Sequence, residues 1–276
     1  MSTLHTVQAI VARDLSRAVR QKSRLLGGLA RPFMWLLLVG TGYNAIAHVE
    51  GAPSYRAFVF PGVVIMAALF GVILTAIATV YDREFGMLRL MLASPAGVPA
   101  VLAGRALAAT AVGIFQGGVV LACVPLVVPV TGMQMVLAGA ALALGAATSS
   151  VLGLLVAAPL RSVENFAGIV NIVLFPLLFL SGALYPTGGM PSALRVLARL
   201  NPVSYAVDLT RLTLGQPAEF GATRSIIVLS ATTVLAFSLT AFIFDPEQRF
   251  ILRNRLAKPV LSDNSAEPAP RRRAAR

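Results

Sequence analysis

The sequence predicts an all-α integral membrane protein with six transmembrane helices, and two observations carry that prediction. First, 57% of the 276 residues are apolar and only 12% are charged, well below the quarter or so found in ordinary soluble domains. Second, uncharged runs recur that reach the roughly 20 residues a helix needs to cross a bilayer. The single cysteine, Cys123, lies in such a run, so this chain alone cannot build a disulfide framework or a cysteine metal site.

Residues 1–24 are predicted to form an amphipathic helix on the cytoplasmic membrane surface. Apolar residues share one helical stripe, while the basic residues lie mostly elsewhere. Burial of the apolar stripe and attraction of the basic residues to anionic lipid would hold the helix at the membrane. A solvated extension is one alternative. A secretory signal is another, because Ala45-Ile46-Ala47 resembles a cleavage site, but the 31-residue polar lead-in argues against it. The stripe comprises Leu4, Val7, Val11, Leu15 and Ala18, and the basic residues are Arg13, Arg17, Arg20, Lys22 and Arg24.

The six spans are predicted within residues 25–244. Arg31 is expected near the cytoplasmic end of the first span, with its guanidinium extended toward the headgroups. The uncharged run 106–160 is more than twice as long as one span requires, and Pro125 and Pro129 divide it into two helices. Residues 245–276 are predicted to be a basic cytoplasmic tail, disordered from about 259. The other four spans are 25–47, 57–80, 165–183 and 225–244.

Two polar segments between spans are predicted to form short helices of their own. Residues 81–92 fit a short amphipathic helix, with a solvated turn as the alternative. In the segment 184–206, a cluster of Pro and Gly excludes a continued straight helix, and Ser192 then begins a surface helix. Asn201-Pro202 breaks that helix, and the chain re-enters the membrane with Tyr205 at interfacial depth.

Basic residues orient the predicted spans. With both termini in the cytoplasm, 18 of the 23 Lys and Arg residues fall on the cytoplasmic side, as the positive-inside rule requires. Segment 81–92 then faces the cytoplasm and segment 184–206 faces outward. The net charge of +12 therefore reflects topology rather than nucleic-acid binding.

The order of elements from Phe175 to Arg211 carries a family resemblance. FLSGALYP, then MP, then LARLNPVSYAVD and an arginine resemble the C-terminal signature of type-2 ATP-binding-cassette (ABC) transporter permeases, particularly their drug-exporter and nodulation-factor-exporter branches. That family's E-x-G-x-[ML] run appears as Glu84, Gly86 and Leu88. The resemblance implies a homodimer in the bacterial inner membrane. It also implies two copies of a separate subunit that binds ATP and Mg, because this chain has no phosphate loop and is expected to bind no cofactor or metal itself.

The resemblance also implies three groups of functional residues. A coupling helix after the second span docks on the ATP-binding subunit, the substrate passes between the second and fifth spans, and the outer segment forms an external gate. Plain helix packing is an equally good explanation for each residue on the substrate path. The coupling residues are Arg83, Glu84, Phe85, Gly86, Met87 and Leu88; the path residues are Met66, Phe70, Ile73, Gly168, Asn171, Phe175 and Phe179; and the gate residues are Gly182, Pro186, Pro191, Asn201 and Pro202.

These features together predict a permease subunit that exports a hydrophobic or amphiphilic compound, such as a drug, lipid or lipo-oligosaccharide, and is not itself an enzyme. No Asp, Glu, Lys or His falls in the middle of a predicted span, which disfavours a proton-driven carrier. One alternative is a lipid-modifying membrane enzyme, for which Asp82-Arg83-Glu84 is the only acidic cluster and lacks a histidine. The other is a passive channel, for which Asn165, Asn171, Thr148 and Ser149 are too few polar residues to line a pore.

Overall fold

The computed structural model describes residues 3–44, 54–92 and 97–257, with side chains up to Phe244, and those parts of the chain are helical and contain no strand. A π-helical turn, Trp35–Val39, joins the second and third helices, so that they run on as one rod. The helices are α1 Thr3–Arg20, α2 Lys22–Met34, α3 Gly40–Asn44, α4 Tyr55–Glu84, α5 Met87–Leu92, α6 Gly97–Leu121, α7 Gly132–Ala157, α8 Val163–Leu180, α9 Ser192–Leu200, α10 Pro202–Thr213 and α11 Ala222–Ala257.

Six stretches of the described chain are long and apolar enough to cross a membrane, which confirms the predicted number of spans. They alternate in direction, so the beginning of α4 and the end of α6 lie at one end of the bundle. The end of α4 and the beginning of α6 lie at the other end, together with α5. The six stretches are Lys22–Tyr43, Tyr55–Glu84, Gly97–Leu126, Gly132–Ala157, Val163–Leu180 and Ala222–Phe244.

The central helix of the bundle is α4, whose residues from Ala57 to Leu69 are all buried. Helices α2, α6, α7, α8 and α10 surround it. Small residues permit the closest approaches, as is usual between membrane helices. A Cβ added to Gly62 would lie 2.6 Å from the Cα of Ala183, so only glycine fits where α4 meets the turn after α8. The core is therefore organised around α4, and whatever moves α4 moves most of the bundle.

Local capping signals explain where several helices begin. Ser54 accepts a hydrogen bond from the backbone N–H of Ala57 at the start of α4, and Ser162 does the same for α8. Thr131 and Gln134 form a reciprocal capping box at the start of α7. This box, with a short 3₁₀ turn at Val124–Leu126, separates α6 from α7 as the prolines predicted.

The third span begins earlier than the sequence suggested. We predicted its uncharged run from residue 106, whereas α6 begins at Gly97 and contains Arg105. The Arg105 side chain is fully buried because Asp82 at the end of α4 neutralises it. A search for uncharged runs excludes a paired charge of this kind, so the predicted boundary was wrong by nine residues.

The single helix predicted over 81–92 is also wrong. α4 continues to Glu84, Gly86 adopts a φ of +76°, and α5 begins at Met87. A positive φ is accessible to glycine without steric cost, so Gly86 makes the sharp bend between the two helices. Residues 93–96, which follow α5, lie outside the described residues.

α1 packs on the bundle, and four of the five residues of the predicted stripe, Val7, Val11, Leu15 and Ala18, are half-buried there. Ile10 and Asp14 are its buried residues, and a Cβ added to Gly104 of α6 would lie 2.9 Å from the Cβ of Ile10. Leu4, which we placed on the buried stripe, is 63% exposed. Arg13 and Arg17 reach toward the bundle rather than away from it, because Asp82 accepts hydrogen bonds from both.

The segment after α8 has the predicted form, with α9 beginning at Ser192 and α10 at Pro202 after a break at Asn201. Tyr205, however, is buried rather than interfacial. Its ring lies 4.6 Å from that of Phe220, and its hydroxyl donates to the carbonyl of Arg199. The last candidate span ends at Phe244, as predicted, and α11 continues from it to Ala257, so the first part of the predicted tail is helical. The Ala45–Ala47 motif and the tail from 258 lie outside the described residues.

Candidate functional site

A cavity of about 260 Å³ lies between α2, α4 and α8, and five of the predicted path residues line it. Its walls are mostly apolar, with aromatic rings from all three helical segments. Trp35 and Phe179 meet edge to face, with ring centroids 6.2 Å apart. The lining residues predicted from sequence are Met66, Phe70, Asn171, Phe175 and Phe179; the lining residues that were not predicted include Arg31, Trp35, Leu174 and Leu178.

Arg31 is the charged residue among those that line this cavity. Its guanidinium carbon lies 5.2 Å from the centroid of the Phe70 ring, a cation–π distance. Phe70 is midway along the 30-residue α4, so the Arg31 guanidinium lies at the mid-length of α4, although Arg31 is exposed in this single chain. We expected this arginine near the cytoplasmic end of its helix, and that expectation was wrong.

Two of the predicted path residues lie elsewhere. Ile73 lines a smaller cavity of about 70 Å³ between α4, α7 and α8, where the walls are almost entirely apolar. Gly168 is exposed on α8, and a Cβ added there would meet nothing within 4 Å. Because Leu174 borders both cavities, α8 separates them.

At the far end of α4 from Tyr55, four charged residues form what we call the Asp82 cluster: Arg13, Arg17, Asp82 and Arg105. Asp82 Oδ2 accepts from Arg13 at 2.7 Å and from Arg105, while Oδ1 accepts from Arg17 at 2.9 Å. Arg105 also donates to the hydroxyl of Thr79 at 2.9 Å. One buried carboxylate thus holds α1, α4 and α6 together.

The next two residues of the predicted coupling segment also bind within the chain. Arg83 donates to the carbonyls of Ala158 and Leu160, where α7 ends. The Glu84 carboxylate accepts the backbone N–H of Val163 at 3.1 Å, in the first turn of α8. The end of α4 is therefore bonded to the α7–α8 connection rather than projecting freely.

What projects from this end of the bundle is an apolar tip made of Phe85, Met87 and Leu90. Their exposed fractions are 77%, 47% and 66%. Leu88, which we predicted for the same docking surface, is instead buried against neighbouring helices. Gly86 makes the bend that presents Phe85. The six coupling residues thus have different environments. Phe85 and Met87 are exposed, Leu88 is buried, Arg83 and Glu84 are bonded within the chain, and Gly86 makes the bend.

The predicted gate residues lie in a hydrogen-bonded network at the opposite end. Arg211 of α10 is 4% exposed and donates to the carbonyl of Gly182 at 2.9 Å. Asn201 Nδ2 donates to the carbonyl of Leu177 at 2.7 Å, which ties the α9–α10 junction to α8. Pro186 and Pro191 flank the 3₁₀ turn between α8 and α9. Gly182 has a φ of +74°, which explains a glycine at this turn.

Comparison with known proteins agrees with this architecture. Residues 5–214 match the family model described as ABC-2 type transporter. The chain belongs to the ABC-2 type transporter family.

Three relatives of this ABC-2 permease have informative names. It is 27% identical to a putative transport permease, ycf38, from Pyropia yezoensis, over 76% of this chain and 74% of the relative. It is 29% identical to nodulation protein J from Rhizobium leguminosarum bv. trifolii, over 70% and 75%. It is 31% identical to the probable multidrug ABC transporter permease YbhR of Escherichia coli K12, over 73% of this chain but 54% of that relative.

Sequence analysis of this ABC-2 permease missed several residues that the structure brings forward. We had counted Arg105 only as a topological charge and had expected Arg31 near the headgroups. We had considered Asp82 only as part of an acidic cluster for the enzyme alternative. These residues could have been found from the sequence by looking for an arginine or aspartate within two or three turns of the end of a membrane helix. A charge in that position requires a partner. Arg211 gave the same signal in the re-entrant helix α10.

Proposed function

We propose that this ABC-2 permease exports a hydrophobic or amphiphilic compound through a homodimer, driven by ATP hydrolysis in two copies of a separate subunit that binds ATP and Mg. Both termini would lie in the cytoplasm of a bacterial cell whose inner membrane holds the complex. The names of the relatives, a transport permease and a probable multidrug ABC transporter permease, favour transport over the enzyme and channel alternatives.

The observation that carries the proposal is the position of the apolar tip on the central helix. Phe85 follows directly on α4, which also forms one wall of the cavity at Met66 and Phe70. Arg83, Glu84 and the Asp82 cluster bond the end of α4 to α1, α6, α7 and α8. A partner that binds the tip therefore acts on a rigid end of the bundle, and its movement reaches the cavity through α4.

The apolar tip has the character expected of a docking surface. Exposed large apolar side chains at a helix end outside the spans mark contact sites for another protein. Helices α2 and α8 border the cavity and belong to spans that are mostly exposed in this single chain, and a second copy of the chain would complete a path there. The gate network at the opposite end would close that path toward the outside.

Replacing Phe85 with serine is expected to abolish stoichiometric co-purification of the ATP-binding subunit. The substitution removes the most exposed large side chain of the tip and leaves the bonds of Arg83 and Glu84 in place. The permease would be expressed with its native neighbouring genes, purified in mild detergent, and its companions identified by mass spectrometry.

Leu126→Ser is the matched control, because Leu126 is 85% exposed at the opposite end of the bundle. It should retain the partner at the wild-type ratio. Wild-type permease that purifies without any partner carrying a phosphate-binding loop would contradict the proposed function. Retention of the partner by Phe85→Ser would contradict the docking surface.

A further inference from the structure

We propose that the cavity between α2, α4 and α8 binds an anionic amphiphile, with its negatively charged headgroup on Arg31 and its apolar part against Trp35, Phe70 and Phe175. The inference rests on the proposed function in one respect: it takes the occupant to be the exported compound. It narrows that compound from any amphiphile to one with a phosphate, sulfate or carboxylate headgroup.

The first argument is the depth of Arg31. Its guanidinium lies over Phe70, midway along a membrane-spanning stretch of 30 residues, rather than at the level of the headgroups. A cation at that depth costs free energy in a membrane, and such residues normally face a partner or a polar pathway. Cation–π contact with one ring offsets only a part of that cost.

The second argument is that Arg31 lacks an anionic partner among the described residues. Arg31 is exposed in this single chain, whereas the buried and half-buried arginines are paired or bonded. Arg105, Arg13 and Arg17 share Asp82. Arg211 donates to backbone carbonyls near Asp208 and Glu219. Arg31 contacts Phe70 through its cation–π interaction, and no carboxylate of the described chain forms an ion pair with it. An anionic ligand would supply the missing charge.

The third argument is the composition of the cavity wall. Besides Arg31, the residues that line it are apolar or aromatic, apart from the amide of Asn171 and the glycine at 62. A site with one cation and no acidic residue repels a cationic amphiphile and leaves Arg31 unpaired with a neutral one. The apolar walls suit a hydrocarbon or aromatic portion. The combination selects anionic amphiphiles over cationic or neutral ones.

The test uses Trp35, the only tryptophan in the chain, as a reporter inside the cavity. The permease, with its ATP-binding partner, is placed in lipid nanodiscs. Quenching of Trp35 fluorescence is then titrated with two probes, dodecyl phosphate and dodecyltrimethylammonium, each brominated at the end of its chain. We expect wild-type permease to bind the phosphate probe at least about tenfold more tightly, the size expected of a charge-assisted hydrogen bond.

Arg31→Gln should remove that preference, and Arg31→Lys should keep most of it because the charge remains. Arg224→Gln is the matched control, since Arg224 also lies over aromatic rings, at 6.0 Å from Tyr205 and 5.8 Å from Phe220, but outside this cavity. Equal binding of the two probes by wild type, or an unchanged preference in Arg31→Gln, would overturn the proposal.

ATP hydrolysis by the same complex separates this proposal from the proposed function. Stimulation of hydrolysis by both probes alike would leave export standing and reject the anionic specificity. If the wild-type permease co-purifies with no ATPase partner but still binds the phosphate probe preferentially, the result would support the site and reject its role in ATP-driven export.

Discussion

Asp82→Asn is expected to lower the free energy of unfolding by about 3–5 kcal/mol, the range for breaking a buried ion pair on one side. The substitution leaves the fully buried Arg105 without a counter-charge and withdraws the shared partner of Arg13 and Arg17. The last two are more than a third exposed, so solvent screens them and Arg105 carries most of the cost. Because one carboxylate joins three helices, α1 should also detach from the bundle.

Thermal unfolding of purified protein in one detergent measures this loss, and Glu164→Gln serves as the control because Glu164 is an exposed acidic residue at the start of α8. The double variant Asp82→Asn/Arg105→Gln should recover part of the stability, since it removes the buried charge that the single variant leaves unpaired. An unfolding temperature equal to that of the control would show that the cluster does not hold the helices together.

Arg211→Met is expected to cost about 3 kcal/mol, the upper value for a hydrogen bond from a charged group. Methionine retains an apolar stem for packing but cannot donate to the carbonyl of Gly182, which lies 2.9 Å from Arg211 Nη2. It also removes the cation 4.2 Å from the Phe58 ring. The turn that joins α8 to α9 would then lose its attachment to α10. Passive leak through the permease should increase at temperatures at which the protein is still folded.

The control for this variant is Arg195→Met, because Arg195 also donates to backbone carbonyls in the outer segment but is only half-buried. Unfolding temperature, and passive leak of a dye from proteoliposomes, should change much less for Arg195→Met. Equal effects of the two substitutions would contradict a special role for Arg211.

The charge of Arg211 also sets an expectation for pH. Burial lowers the pKa of Arg211 from its ordinary value to about 10, although Asp208 and Glu219 partly oppose the shift. Because the unfolded chain binds this proton more tightly than the folded one, this group makes stability rise with pH only from about 10 up to the ordinary pKa of arginine. From pH 6 to pH 9 the residue remains a cation in both states, so its contribution to stability is constant.

Most of the fold could be predicted from local patterns in the sequence. Uncharged runs gave the number of spans, and the breaks at Pro125, Pro191 and Asn201 occur where backbone chemistry demands them. What the sequence did not predict depends on partners distant along the chain. Arg105 belongs inside α6 only because Asp82 lies beside it, 23 residues earlier. The boundary of the third span therefore could not be predicted from a local pattern.

The candidate site follows the same division. Five of the predicted path residues line one cavity, because one face of α8 and the facing side of α4 follow from helical periodicity. Their part in a substrate path stays a prediction. Arg31 was missed as part of the cavity because its depth depends on how α2 packs against Phe70. The coupling role of residues 83–88 stays a prediction. The structure separates the buried Leu88 from the exposed Phe85 and Met87, and this difference in burial follows from the bend at Gly86.

The most direct test of the central claim is ATP-dependent movement of an amphiphile across a sealed membrane. Proteoliposomes would contain the permease alone, its co-purified ATP-binding subunit alone, or both, and accumulation of a fluorescent dodecyl phosphate analogue would be followed after ATP is added. We predict accumulation only when both subunits and hydrolysable ATP are present. Accumulation by the permease alone without ATP would contradict the account, as would failure of the complete complex to move the probe while it hydrolyses ATP.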